Sequence, residues 1–418
     1  MSILTNLTRM WLTRSAKPFI FKNEFDQHLP YSDCKGLGLY VHIPFCRNIC
    51  SFCPYCKVKY SKDLCDRYID ALLQEIHLVG SQHHGKTKTT SLYFGGGTPA
   101  LAADRLKEII DAIHEHFIIT EGIGIELHPD DLTPSVLTTL KTAGVTKISI
   151  GIQSFQEKFQ HILGRSPINA AAIKKILSEI PFETVSMDFI FALPNQTFDD
   201  LKADLDAAFQ NGANHIAVYP FIDFTFTSSP LEAMPKKQKR VLLDAITQYC
   251  MECGYFRTSI WTFSSQKNAQ YSSMTRENFL GFGCSATTLL KEQFKINTFS
   301  VDAYCRRIAE GKLPTSLTTR FSLRQRMIYY LFWTAYSTKI DAKDFKEFFG
   351  IPLKNMYGFE LKLAEIFGFV TENNDVYRMT LKGAFYYHYY ESFYTLAYID
   401  KMWGILRKEA FPEKLELS

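Results

Sequence analysis

Between Leu37 and Trp261 the chain alternates short runs rich in β-branched and aromatic residues with longer amphipathic stretches. The runs are Gly38–Ile43, Thr90–Phe94, Ile123–Leu127, Lys147–Gly151, Val185–Phe191, His215–Tyr219 and Phe256–Trp261. Between them lie Lys62–His77, Ala103–His116, Pro134–Ala143, Ala170–Ile180, Phe198–Ala208 and Lys236–Met251, each with apolar residues at helical spacing. Repeated strand–helix units imply a parallel sheet with helices outside, which restricts the chain to the α/β class. Short strands in a unit that recurs six or more times predict a partial (β/α) TIM-type barrel rather than a doubly wound sheet. Barrels of this kind bind ligands at the carboxyl ends of their strands.

After about Ser300 the pattern becomes helical, with Leu323–Tyr336, Asp341–Phe349 and Lys354–Phe367 followed by two short strands around Asn373, Asn374 and Asp375. Three helices and a hairpin predict a winged-helix-like appendage. The expected division is an N-terminal arm (1–36), a barrel domain (37–290) and a mainly helical, winged-helix-like C-terminal domain (300–418). No basic recognition helix accompanies the appendage, and the net charge of +4 is spread along the chain, so nucleic-acid binding is not expected. The last segment gathers Tyr386, Tyr387, Tyr389, Tyr390, Phe393, Tyr394, Tyr398 and Trp403 around His388. These aromatics either pack a helix or form a wall for a flat, hydrophobic ligand. Met1 to Phe21 lacks the apolar segment of a signal peptide, and no later tract approaches the roughly 20 apolar residues of a membrane span. The expectation is a cytoplasmic chain with Ile3–Trp11 as a short helical arm packed on the body.

Ten cysteines in such a chain favour metal or redox chemistry over a disulfide framework, and Cys46, Cys50, Cys53 and Cys56 fall within one short segment. Cys46, Cys50 and Cys53 have the spacing CxxxCxxC directly after the first strand. Three thiolates on one loop can each hold one iron of a cubane [4Fe–4S] cluster, leaving the fourth iron without a protein ligand. A structural zinc site would need a second cysteine pair beyond a longer spacer, which the loop lacks. Cys56 stands outside the three-thiolate set as a further ligand, a functional thiol or a neighbour. Cys250 and Cys253 end a helix without a partner pair, so ordinary packing is expected there.

The second run is followed by Gly95-Gly96-Gly97-Thr98-Pro99, the third by His128-Pro129, and the fourth by Gln153. Glycines permit close backbone approach, and the run shares a barrel end with the cysteine loop. The set Tyr40-Val41-His42-Ile43-Pro44-Phe45-Cys46, Tyr93 to Pro99, Gly151-Ile152-Gln153-Ser154-Phe155, Met187 to Thr197 and Gly281-Phe282-Gly283-Cys284-Ser285-Ala286 resembles the radical S-adenosylmethionine (SAM) family of oxygen-independent coproporphyrinogen III oxidase. Related heme chaperones, anaerobic heme-degrading enzymes and class C radical SAM methyltransferases share it. The likeness covers about Gly38 to Ala286.

The resemblance implies a barrel of the radical SAM kind, with a [4Fe–4S] cluster on Cys46, Cys50 and Cys53 and SAM on its open iron. Reductive cleavage of SAM would yield a 5′-deoxyadenosyl radical, with flavodoxin or ferredoxin as electron donor. It also implies that Tyr40 lies near the sulfonium, that Phe52 touches adenine, and that Gly96, Gly97 and Thr98 meet the methionine amino group. Glu126, Gln153, Arg165 and Asp188 would line SAM, with Arg165 able to fork onto a carboxylate and Asp188 able to accept from ribose hydroxyls. Ala217 and Val218 would flank the adenine. Trp261, Phe263 and Tyr271 would border a substrate cavity. The implied small-molecule substrate is a tetrapyrrole, heme or another flat hydrophobic compound. Oxidases of the family carry CxxxCxxCxC, and its chaperones place Asp after the third cysteine; Cys53-Pro-Tyr-Cys56 differs from both.

Overall fold

The computed structural model describes residues 3–24, 28–267 and 277–417. Its barrel strands are β1 (Leu37–Ile43), β2 (Leu92–Gly96), β3 (Ile123–Leu127), β4 (Lys147–Gln153), β5 (Thr184–Phe191) and β6 (His215–Pro220). Each pairs in parallel with the next, so six strands follow one another around the sheet in chain order. The connecting helices are α1 (Lys62–Gly80), α2 (Leu106–His116), α3 (Pro134–Thr142), α4 (Ala170–Glu179) and α5 (Phe198–Gln210), with α6 (Lys236–Glu252) after β6. This is the expected partial α/β barrel.

Local chemistry sets the helix ends. The Ser61 hydroxyl accepts the Leu64 N–H at the start of α1, and α5 opens with a capping box between Thr197 and Asp200. Along α1, Cys65, Tyr68, Ile69, Leu72 and Ile76 recur at helical spacing and are buried, so that face packs on the sheet while the acidic and basic residues other than Glu75 stay outside.

The sheet continues past the barrel. β7 (Asn278–Phe282) runs parallel to β1, and Thr287–Leu290, Gln293–Asn297 and Thr315–Arg320 extend it as antiparallel strands. Phe19–Lys22 of the N-terminal arm pairs with Thr315–Arg320 and with Lys414–Leu417, which joins the two ends of the chain at the far edge of a 14-stranded sheet. The expected strand Phe256–Trp261 is replaced by Phe256–Arg257 and Thr262–Ser264, an antiparallel pair added beside β6. The interruption is a tight bend in which the Thr258 N–H bonds Thr262 O at 2.9 Å and the Arg257 guanidinium caps Ile260 O at 2.6 Å.

Leu323–Tyr336, Ala342–Phe349 and Leu353–Ile366 surround a core of Met327, Tyr330, Phe345, Leu353, Tyr357, Leu361 and Tyr377, separate from the barrel core. Lys339–Asp341, Val376–Met379 and Val370–Asn373 complete a three-stranded antiparallel sheet beside them, the winged-helix pattern. The chain then returns to the barrel through Leu381–Tyr394, a π-helical turn at Thr395–Ile399 and Asp400–Leu406. The Asp400 carboxylate accepts both the backbone N–H and the hydroxyl of Thr225 at 2.7 Å, fixing this last helix over the loop after β6.

Glu75 on α1 ties the late glycine motif to the helix Val301–Ala309. It accepts from Gly283 N and the Tyr304 hydroxyl, both at 2.7 Å, and from Asn297 Nδ2 at 3.3 Å. Burial pushes its carboxyl up to about 7. Glu75→Ala strands these donors in the core and is expected to cost about 3 kcal/mol. Denaturant unfolding of the two proteins measures this; a loss below about 1 kcal/mol would contradict the role given to Glu75.

Candidate cluster and cofactor site

The loop after β1 is held down by its own backbone. Gly97 N–H donates to Ile43 O at 2.8 Å and Thr98 N–H to Phe45 O at 2.7 Å, so the glycine run after β2 lies directly on the segment that leads into Cys46. Only glycine fits this contact. A Cβ at Gly97 would stand 2.5 Å from Phe45 O, and one at Gly96, where φ is +123°, would stand 2.7 Å from the His42 ring. Three cations pin the rest of the loop. Arg47 pairs with Asp131 after β3, Arg165 approaches Cys50 Sγ at 3.9 Å, and Arg407 at the end of the last helix caps Pro54 O. Lys57 adds a bond to Cys53 O at 2.5 Å.

Cys46, Cys50 and Cys53 are all partly accessible on this loop. Burial and the neighbouring Cys53 sulfur push the Cys46 thiol up to about 11, against a bond from the Thr98 hydroxyl. Cys56 has left the group. It is 4% exposed, donates to Phe299 O at 3.2 Å and lies 4.0 Å from Cys284 Sγ.

Each of the first five barrel strands has an open position in or beyond its buried stretch. On β1 it is Tyr40, on β2 Gly96, on β3 Glu126 and on β5 Asp188, while β4 opens at Gly151 and Gln153 near its end. Side chains alternate across a strand, and the register puts Tyr40, Glu126, Gly151 and Asp188 on the face that lines the barrel, with Gly95 beside Tyr40 and Glu126 and Gly96 just beyond it at the end of β2. Glu126 sits beside Ser149 in register, and the Ser149 hydroxyl donates to both Asp188 oxygens at 2.9 and 2.8 Å. Glu126 accepts Gly96 N–H at 3.1 Å. Burial, then the Glu126 charge, raise the Asp188 carboxyl to about 7, and burial also raises that of Glu126. Gln153 ends β4 in the left-handed region at φ 69°. Arg165 bonds Gly151 O, stands 5.9 Å from the Phe52 ring centroid, and keeps its buried Nε without a partner among the described residues.

Tyr40 is oriented by His42. The Cys56 carbonyl, 2.9 Å from His42 Nε2, can only accept, so Nε2 carries the proton and Nδ1 accepts the Tyr40 hydroxyl at 3.0 Å. Burial, then Glu126, hold that phenol well above its ordinary pKa.

On β6, Ala217 pairs with Asp188 and shares its face, whereas Val218 points to the opposite face and packs in the main core. The open position there is Tyr219, which sequence reasoning missed; its signal is a polar aromatic at the end of an apolar strand. Trp261 packs edge-on against Tyr219 at 5.9 Å and against His388 at 5.5 Å, while Phe263 is fully buried in the core. Tyr271 lies outside the described residues.

Gly97→Ala is expected to cost about 2 kcal/mol and to displace the cysteine loop, read as a lower melting temperature and a lower iron content after reconstitution. An unchanged melting temperature would contradict the contact. Asp188 ionises near 3.8 in an ordinary setting and near 7 in the fold, so within that window the native state keeps a proton the unfolded chain has lost. Its contribution to stability is full below the window and declines as pH rises through it. The melting temperature of Asp188→Asn relative to the parent should therefore climb between pH 5 and pH 8; a constant difference would contradict it.

The sequence profile of the Radical SAM superfamily matches residues 40–208. The heme chaperone HemW of Bacillus subtilis is 28% identical over 367 residues, 82% of this chain and 95% of that protein. An oxygen-independent coproporphyrinogen III oxidase of Cereibacter sphaeroides is 26% identical over 306 residues, 66% of this chain and 68% of that protein. Among solved structures, coproporphyrinogen III oxidase (HemN) from Escherichia coli superposes with a TM-score of 0.76 at 21% identity, over 91% of this chain and 97% of that one. That likeness establishes the fold. Proteins of the superfamily bind a [4Fe–4S] cluster and SAM. The residues here fit both groups, with three accessible thiols on one pinned loop, an unpartnered guanidinium nitrogen beside them and a glycine cradle that side chains would fill. The chain carries a Radical SAM domain, matched over residues 40–208, and is similar to heme chaperones and oxygen-independent coproporphyrinogen III oxidases.

Proposed function

We propose that Cys46, Cys50 and Cys53 each bind one iron of a [4Fe–4S] cluster, that SAM binds in the space bounded by Tyr40, Gly96, Glu126, Gln153, Arg165 and Asp188, and that the substrate is a tetrapyrrole. The observation that carries this reading is the open position on successive barrel strands, each filled by a residue suited to a polar cofactor beside the cysteine loop. When bound, the cluster and SAM supply a 5′-deoxyadenosyl radical able to abstract hydrogen from an unactivated carbon.

The chain's own residues bind and orient. Arg165, anchored on Gly151 O, offers its free nitrogen to a carboxylate next to Cys50. Asp188, held by two serine hydroxyls, has an acceptor for ribose hydroxyls, and its raised pKa makes cofactor affinity improve as pH rises toward 8. Thr98 donates to Cys46 and so fixes one sulfur. His42 aims the Tyr40 phenol. Trp403 and Tyr55, with ring centroids 6.0 Å apart, link the last helix to the cysteine loop. Beside it the edge-on set Tyr219, Trp261 and His388 offers an aromatic wall to a flat ligand. Burial lowers His388 to about 4, so its imidazole is neutral at physiological pH.

A second reading is a heme chaperone, favoured by the relative HemW of Bacillus subtilis matching nearly that whole protein. Anaerobically reconstituted, reduced protein is expected to produce 5′-deoxyadenosine from SAM, with Cys46→Ala, Cys50→Ala and Cys53→Ala at the level of protein-free controls. Arg165→Lys keeps the charge but not the fork, and should raise the KM for SAM about tenfold. Turnover of coproporphyrinogen, or methyl transfer from a second SAM, identifies an enzyme; a stoichiometric heme complex without turnover identifies the chaperone. Absence of 5′-deoxyadenosine under all these conditions would overturn the radical-forming reading.

A further inference from the structure

Behind the proposed cluster site lies a second group of metal-type donors that the radical chemistry does not use. His42, Cys56 and Cys284 place one nitrogen and two sulfurs within 4.8 Å of one another. All three side chains are enclosed, with exposures of 3%, 4% and 0%. They come from three separate parts of the fold: β1, the end of the cysteine loop and the turn after β7. The Sγ–Sγ distance is 4.0 Å. That is about twice a disulfide bond and close to the roughly 3.8 Å that separates two sulfurs on a tetrahedral zinc with Zn–S bonds of about 2.3 Å. The nitrogen turned toward Cys56 is His42 Nε2, now 2.9 Å from the Cys56 carbonyl.

We infer that His42, Cys56 and Cys284 form a second metal site, separate from the iron–sulfur cysteines, that takes a single borderline-soft divalent cation, zinc in the first instance. Two thiolates and an imidazole select zinc over magnesium or calcium, which take oxygen ligands. Binding is not a redox step. The two thiol protons and the Nε2 proton pass to solvent or to Nδ1, two Zn–S bonds and one Zn–N bond form, and the dication with two thiolates leaves an electrically neutral unit in a buried setting. Three protein donors leave one tetrahedral position; near the donors, Phe299 O lies 3.2 Å from Cys56 Sγ and the Tyr68 hydroxyl accepts Cys284 N–H at 2.9 Å.

The site has a consequence for the cofactor space. With Nε2 on the metal, Nδ1 must carry the imidazole proton, and the bond to Tyr40 reverses so that histidine donates to the phenol oxygen. Tyr40 is thereby held in place with its own proton free to point elsewhere. The metal would also clamp the end of the cysteine loop to the turn after β7, in the place where the spacing Cys53-Pro-Tyr-Cys56 puts the fourth cysteine. His42 here is a positioning residue for Tyr40.

The test uses cluster-loaded full-length protein prepared anaerobically and given equimolar zinc sulfate. Zinc and iron are counted by plasma mass spectrometry, and the zinc K-edge is read by X-ray absorption. The expected result is about one zinc per chain, with two sulfur and one imidazole neighbour in its first shell, beside an intact iron complement. Cys284→Ser and Cys56→Ser should each lower zinc by at least about tenfold while iron is retained. Melting curves identify a variant that fails to fold, and His42→Gln then serves as the third arm. Zinc that binds only when Cys46, Cys50 and Cys53 lack iron, zinc retained in all the folded variants, a Cys56–Cys284 disulfide in place of uptake, or no uptake at all would each overturn the site. The zinc count is independent of 5′-deoxyadenosine formation, so loss of one reading leaves the other standing.

Discussion

Two backbone hydrogen bonds, Gly97 N–H to Ile43 O and Thr98 N–H to Phe45 O, set the position of everything else at the barrel mouth. They lay the glycine run on the chain that enters the cysteine loop, with no room for a Cβ at Gly97. Once that contact is made, Arg47 of the loop can reach Asp131 after β3, while Arg165 and Arg407 reach the loop from beyond β4 and from the end of the last helix. The loop is thus a fixed part of the scaffold, held to several strand ends, and preorganised ligands bind metal clusters and cofactors at lower entropic cost than mobile ones.

Electrostatics inside the barrel follow from the same geometry. Glu126 and Asp188 face one space on strands separated only by β4; burial raises both carboxyls, and the Glu126 charge adds to the rise at Asp188. Serine hydroxyls on Asp188 and the Gly96 N–H on Glu126 offset part of that cost. Two partly charged acceptors kept close together are costly for folding and useful for recognition, a combination typical of binding sites.

Much of this was legible in the sequence. The strand–helix alternation gave the parallel strands almost residue by residue, because a sheet covered on both faces needs apolar runs and amphipathic helices in strict alternation. The spacing of Cys46, Cys50 and Cys53 and the run Gly95 to Gly97 marked the barrel end that carries the open positions. The antiparallel strands from Thr287 to Arg320 were not legible, since they are short, polar at many positions and paired with partners distant in sequence. Phe256–Trp261 reads as one strand by composition, and only the hydrogen bonds of Thr258 and Arg257 break it. Nor does spacing reveal that Cys56 turns toward Cys284, more than two hundred residues away, or that Tyr219 rather than Val218 is open on β6.

The central claim is that three thiols of the loop leave one iron of a cubane for SAM. Mössbauer spectroscopy of protein reconstituted with 57Fe tests it most directly. Adding SAM should move about a quarter of the iron to a distinct isomer shift, as one iron of the cluster gains nitrogen and oxygen ligands while the other three keep their thiolates. A spectrum unchanged by SAM, or one showing no cubane cluster on the loop, would contradict the account.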